Sequence, residues 1–145
     1  MIIDKLLLLS DNQAVTASAA STDVIDLGPI AGNRRDIGVG FPLEFWVMTP
    51  VAATAAGAAT VNIQFQTSAD NSTWTTLVES GALALSALTA GSRPFAVKVP
   101  SGVLRYIRVN YVVTTGPLTA GKFTAGINLD VDNNVPYTDG LSRAS

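Results

Sequence analysis

The stretch Thr60-Val61-Asn62-Ile63-Gln64-Phe65-Gln66-Thr67 decides the fold. Successive side chains of an extended chain point to opposite sides, so Val61, Ile63 and Phe65 share one face and Asn62, Gln64 and Gln66 the other. This is the pattern of an antiparallel strand with one face on a core and one in water. Ser68-Ala69-Asp70-Asn71-Ser72 follows with turn-forming residues. Trp74 to Val78 then reads as the return strand.

The same alternation extends outward in both directions. Upstream, Val24-Ile25-Asp26-Leu27 forms a short strand stopped by Gly28-Pro29. Leu43 to Met48 forms another, entered through Gly40-Phe41-Pro42 and ended by Thr49-Pro50, since proline cannot donate to a ladder. Downstream, Phe95 to Val99 stops at Pro100-Ser101-Gly102. Arg105 to Thr114 is the longest strand, and Lys122 to Val131 the last. The Ala-rich segment from Val51 to Ala59 is read as a hairpin loop, and Gly81 to Ala90 as an irregular connection. About eight short strands separated by turn signals imply an all-β antiparallel sandwich, either a jelly roll or an immunoglobulin-like arrangement without the latter's Cys-Trp-Cys signature. Val61, Ile63, Phe65, Ile107, Val109 and Ile127 are expected to face inward.

The chain has 145 residues, which fits one domain over 1–145. Residues 1–10 read as a possible N-terminal arm and 133–145 as a tail. Neither cysteine nor histidine occurs. A Ser-His-Asp or Cys-His couple cannot be assembled, and the commonest general base and metal ligand are missing. No enzymatic activity, cofactor or tightly held metal is expected. Asp130, Asp132, Asn133 and Asn134, with Asp139 downstream, could be imagined around Ca²⁺, but the glycine and distal glutamate of an EF-hand are lacking. They read as a strand end and turn. Gly38-Val39-Gly40 lacks the rest of any phosphate-binding fingerprint. The aromatics Trp46, Trp74, Tyr106 and Tyr111 are spaced as core or cross-strand packing, with a sugar-stacking platform as the alternative.

Charged residues make up 14% of the chain, against about 25% in ordinary soluble domains. Charge is depleted where a surface is buried against neighbours, so extensive burial in an assembly is expected. A formal net charge of −2 lacks the basic stripe that nucleic acid requires. The opening run Leu6 to Leu9 is too short for a signal-peptide core, and nothing approaches the ~20 apolar residues of a membrane span. No membrane, nucleic-acid or small-molecule partner is expected.

Several segments, in order along the chain, resemble one family, the Bbp16-type capsid cement proteins of tailed bacteriophages. They are Met1 to Lys5 with Leu7-Leu8, Ser10-Asp11, Gln13-Ala14 and Thr16; Ala20 to Gly28; Arg35-Asp36-Ile37-Gly38-Val39-Gly40 with Pro42-Leu43; Phe65 to Ser68; and Arg105 to Tyr111. The resemblance implies a jelly roll on the outer surface of the phage head, made in the host cytoplasm, clamping neighbouring major capsid protein subunits. A homo-oligomer is expected, a dimer before a trimer, because closed symmetry is the default. The candidate interface comprises Ile2, Ile3, Leu6 and Leu8 of the arm, apolar where a free terminus is ordinarily polar, with Arg34, Arg35 and Asp36. Met1 to Ser10 reads equally as a first strand. The alternative function is a small carbohydrate-binding β-sandwich of a tail fibre or secreted enzyme, which would present coplanar exposed aromatics.

Overall fold

The computed structural model describes residues 3–28, 36–40 and 42–129. Nine strands are assigned among them: β1 (Leu8–Ala14), β2 (Ala19–Ala20), β3 (Ile25–Asp26), β4 (Glu44–Thr54), β5 (Thr60–Ser68), β6 (Thr75–Ala84), β7 (Ser92–Lys98), β8 (Tyr106–Thr114) and β9 (Ala120–Asn128). Single 3-10 turns stand at Lys5–Leu7 and Leu85–Ala87.

The pairing pattern is that of one long hairpin rolled up. The β5–β6 turn is its tip. Moving away from the tip, β4 pairs with β7, β2 and β3 both pair with β8, and β1 pairs with β9, all antiparallel. These paired arms fall alternately into two sheets, β1-β9-β4-β7 and β2-β8-β5-β6, with β3 beside β8. If β2 and β3 are taken as two pieces of one interrupted strand, this is the eight-stranded jelly roll.

The core lies between the sheets and obeys the period-2 reading. Val61, Ile63, Phe65, Ile107 and Val109 are fully buried, and Ile127 nearly so. Phe45 and Val47 of β4 and Phe123 and Ala125 of β9 meet them from the other sheet. Aromatic contacts span the gap: Phe45 to Phe65 at 4.7 Å and Tyr111 to Phe123 at 5.0 Å between ring centroids.

Three local expectations need correction. Thr49-Pro50 does not end β4, and Val51 to Ala59 is not simply a hairpin loop, because β4 continues to Thr54. Pro50 falls between Met48 and Val51, where the register to β9 shifts, so its missing N–H interrupts a ladder that is already irregular. Beyond it, Ala53 donates to the Leu88 carbonyl at 3.0 Å. The second correction is Gly81 to Ala90, whose first half completes β6 and whose second half holds the Leu85–Ala87 turn. The third is β7, which includes Pro94. It is tolerated there because β7 is the edge of its sheet.

A buried polar chain closes one side of the sandwich. The Tyr111 hydroxyl donates to Ser10 Oγ at 3.0 Å, Ser10 donates to Gln13 Oε1 at 2.8 Å, and Gln13 Nε2 donates to the Ala20 carbonyl at 2.7 Å. Burial pushes the Tyr111 phenol above its ordinary 10.0, against a smaller opposite pull from the Ser10 hydrogen bond. An unfolded tyrosine ionises near pH 10 while the buried one keeps its proton. Its contribution is therefore intact below that pH and is lost as pH rises from there toward the folded-state value. Tyr111→Phe is expected to cost about 1 kcal/mol at neutral pH and to flatten the alkaline loss of stability. Urea melts of both proteins at pH 8 and pH 11 check this; equal alkaline losses would remove Tyr111 as the cause.

Candidate docking surface

The arm residues divide sharply in exposure. Ile3 is 45% exposed and Leu6 82%, whereas Leu8 is at 8% and Leu9 at 0%. The 3-10 turn is built by Asp4, whose carboxylate accepts the Leu6 N–H at 2.9 Å and whose carbonyl accepts the Leu7 N–H at 3.0 Å. The Lys5 ammonium donates to the Asp11 carboxylate across the start of β1, and that bond and charge raise its pKa.

Leu8 is largely buried and belongs to the domain's own packing. It lies on Trp46, on the outer face of the β9–β4 sheet, with Met48 beside them. Trp46 alternates with Phe45 and Val47, so it points away from the main core, yet it is fully buried. Its indole N–H donates to Asn128 Oδ1 at 3.1 Å. Gly126 makes the fit possible: a Cβ there would stand 2.9 Å from the Leu7 carbonyl oxygen and 3.2 Å from the Trp46 ring.

Asp36 also turns inward. Its carboxylate accepts from Gly38 N at 2.9 Å, Gly102 N at 2.5 Å and Val103 N at 3.3 Å. It fastens the 36–40 segment to the loop between β7 and β8. Ile2, Arg34 and Arg35, and the acidic group from Asp130 to Asp139, lie outside the described residues. Asp26 meets Arg105, in a two-pronged pair with both distances 2.7 Å.

Strand register gathers exposed apolar side chains at one end of the sandwich. Leu6 lies two residues before Leu8, which pairs with Gly126; Leu129 directly follows Asn128, which pairs with Glu44, the first residue of β4. Val24 precedes Ile25, which pairs with Ile107 near the start of β8. Leu104 sits just before β8, and Val39 in the segment that Asp36 docks there. These are Leu6 at 82%, Leu129 at 62%, Val39 at 58%, Val24 at 40% and Leu104 at 37% exposure. Among them, Leu6 and Val24 line an open depression of about 380 Å³ with Lys5, Leu8, Asp23, Ile25 and Asp26. The opposite end presents threonine pairs instead, Thr54 with Thr119 at 2.8 Å and Thr60 with Thr114 at 2.7 Å.

Val24, Val39, Leu104 and Leu129 were not singled out in the sequence. Each adjoins a strand or turn, where an apolar residue reads as a continuation of the pattern. Only the register shows that Val39, Leu104 and Leu129 fall past the strand ends at one end of the sandwich, with Val24 beside β3 near that end.

The outer face of the second sheet is polar. Arg108 donates to Gln66 Oε1 at 2.9 Å and its guanidinium lies 4.1 Å from the centre of the Trp74 ring. Asn110 donates to Gln64, and Asn62 and Gln64 donate to Glu79, holding that carboxyl below its usual range. Arg105 covers Tyr106 in the same manner at 4.7 Å. Trp46 and Tyr111 are buried. Among the described residues, no three carboxylates gather as metal ligands.

Residues 9–127 match the model of the Bbp16 family. No curated protein matches the chain. A solved structure described as PBSX exported protein XepA matches with a TM-score of 0.45 and 17% identity, covering 99% of this chain and 46% of that one. The chain thus spans about half the length of that protein.

Proposed function

The chain belongs to the Bbp16 family and is a phage-related structural protein, and from that premise we propose that it is a capsid cement protein. It binds the outer surface of the assembled head and clamps neighbouring major capsid subunits. It acts by binding alone, without turnover or cofactor. Family membership carries the reading, and the apolar end of the sandwich supports it. Singly scattered exposed apolar residues are ordinary, whereas Leu6 and Val24 share one depression at that end, which is where an interaction site is expected.

The mechanism is linkage. A ligand that binds only the assembled state stabilises that state by mass action. A small homo-oligomer, a dimer by preference, adds effective concentration, so individually weak contacts hold collectively. The sugar-binding alternative loses its platform: Trp46 and Tyr111 are buried, and Trp74 and Tyr106 each have a ring face occupied by arginine.

The test is reconstitution. Purified protein is mixed with phage heads that lack it, and the heads are imaged by electron microscopy and heated. Regular added density and a higher temperature of DNA release are expected. Bare heads at saturating protein would overturn the proposal.

A further inference from the structure

The Leu6 turn has the organisation of a binding element. A leucine that is 82% exposed is ordinarily tolerated on a surface, but here polar interactions hold it in place. Asp4 caps the turn through both its carboxylate and its carbonyl, Lys5 is tied to Asp11, and Leu8 anchors the following residues on Trp46. A side chain fixed before contact loses little conformational freedom on binding, which is how preorganised contacts gain affinity. Beside it, Val24 and Ile25 continue the apolar surface into the depression.

The rim charges indicate what fits there. Lys5 is matched by Asp11, and Arg105 by Asp26. Lys5 is also drawn by the Asp23 charge, so among the described residues four carboxylates, of Asp4, Asp11, Asp23 and Asp26, face two cations. Asp4 accepts the Leu6 N–H at 2.9 Å and Asp23 accepts the Thr22 hydroxyl at 3.4 Å. Among the described residues the patch is therefore apolar at its centre and acidic at its edge. The same patch of a second copy would bring carboxylates against carboxylates in an isologous contact, which like charges disfavour. Nucleic acid is disfavoured for the same reason.

Resting on the cement reading, we infer that the Leu6–Val24 depression docks on a neighbouring capsid shell subunit, receiving an apolar side chain flanked by lysine or arginine. Leu6 is the anchor and Asp23 the charge partner. Deeply buried apolar anchors carry most of the energy of such contacts, while rim charges adjust association rate and salt dependence.

The experiment uses the full chain and heads that lack it. Leu6→Glu, Asp23→Lys and, as a distant control, Val51→Glu are compared with the parent by binding isotherm, thermal melt and sedimentation. Leu6 and Val51 are both exposed, so all melts should agree within a few degrees. Leu6→Glu is expected to weaken head binding at least about tenfold. Asp23→Lys should weaken it less and lose part of the parent's salt dependence, and Val51→Glu should bind as the parent does. If the parent binds and Leu6→Glu binds equally, the cement reading stands and the surface lies elsewhere. If Leu6→Glu instead dissociates a parent oligomer in sedimentation, the patch is a self-contact and the inference is overturned. If the parent binds no heads, the cement reading fails and this inference with it.

Discussion

Gly38→Ala is expected to lower stability by about 3 kcal/mol, roughly 10 °C in Tm for a domain of this size. The cause is space. A Cβ on Gly38 would stand 1.9 Å from the Pro100 carbonyl oxygen and 2.9 Å from the Ser101 nitrogen. Both are backbone atoms, so no side chain can rotate away, and the 36–40 segment must lift from the loop between β7 and β8. Lifting it stretches the two N–H donations from Gly102 and Val103 to the Asp36 carboxylate, and hydrogen bonds to a charged group are worth about 1.5–3 kcal/mol. Two other glycine substitutions, one in the same segment and one in the loop between β4 and β5, separate the causes. Gly40→Ala meets open space but carries a φ of +83°, so it should cost about 1 kcal/mol through the backbone alone. Gly57→Ala meets open space without that φ and should fall within ~0.5 kcal/mol of the parent. Equal melts for Gly38→Ala and Gly57→Ala would show that the two loops are not locked together.

This lock was partly legible. Asp36-Ile37-Gly38 has the spacing of an Asx turn, in which the side chain caps a backbone N–H two residues on, and the structure shows that bond. Its second use, on Gly102 and Val103, joins segments 66 and 67 residues apart, and no local pattern carries that. Asp36 therefore read as a surface or interface charge although it is a backbone anchor.

The strands divide in the same way. Val61, Ile63, Phe65, Ile107 and Val109 could be placed because one face is apolar and the other polar. Val51 to Thr54 could not, because alanine and threonine give an alternation with no contrast. The run Leu6 to Leu9 conceals different surroundings under one residue type. Leu9 joins the main core, Leu8 covers Trp46, Leu7 is 37% exposed and Leu6 is held in solvent. A turn meeting a strand at Leu8 sets those positions, and the pairing partner of that strand, β9, lies more than a hundred residues away.

Trp46→Ala is expected to cost about 4 kcal/mol, in the upper range for truncating a buried aromatic. The indole is fully buried on the side of β4 away from the main core, so its loss leaves a cavity bounded by Leu8, Met48 and Gly126. The donor to Asn128 is lost as well. Trp46→Phe retains much of the apolar contact while removing that donor, and should cost about 2 kcal/mol. The effect is also local. Leu8 rests on the indole, and β1 holds the sheet edge through a register shifted between Leu8 and Ser10 and again between Ser10 and Gln13. Amide exchange at Leu9 and Ser10 should therefore accelerate in both variants, well before that of Ile63 or Val109 in the central strands, which open only with the whole domain. If Leu9 and Ser10 keep parental protection in Trp46→Ala, the arm is not anchored by the indole. If they lose it while Leu6 is unchanged in sequence, head binding should fall as well. A leucine that binds because it is preorganised needs the floor beneath the turn as much as it needs its own methyl groups.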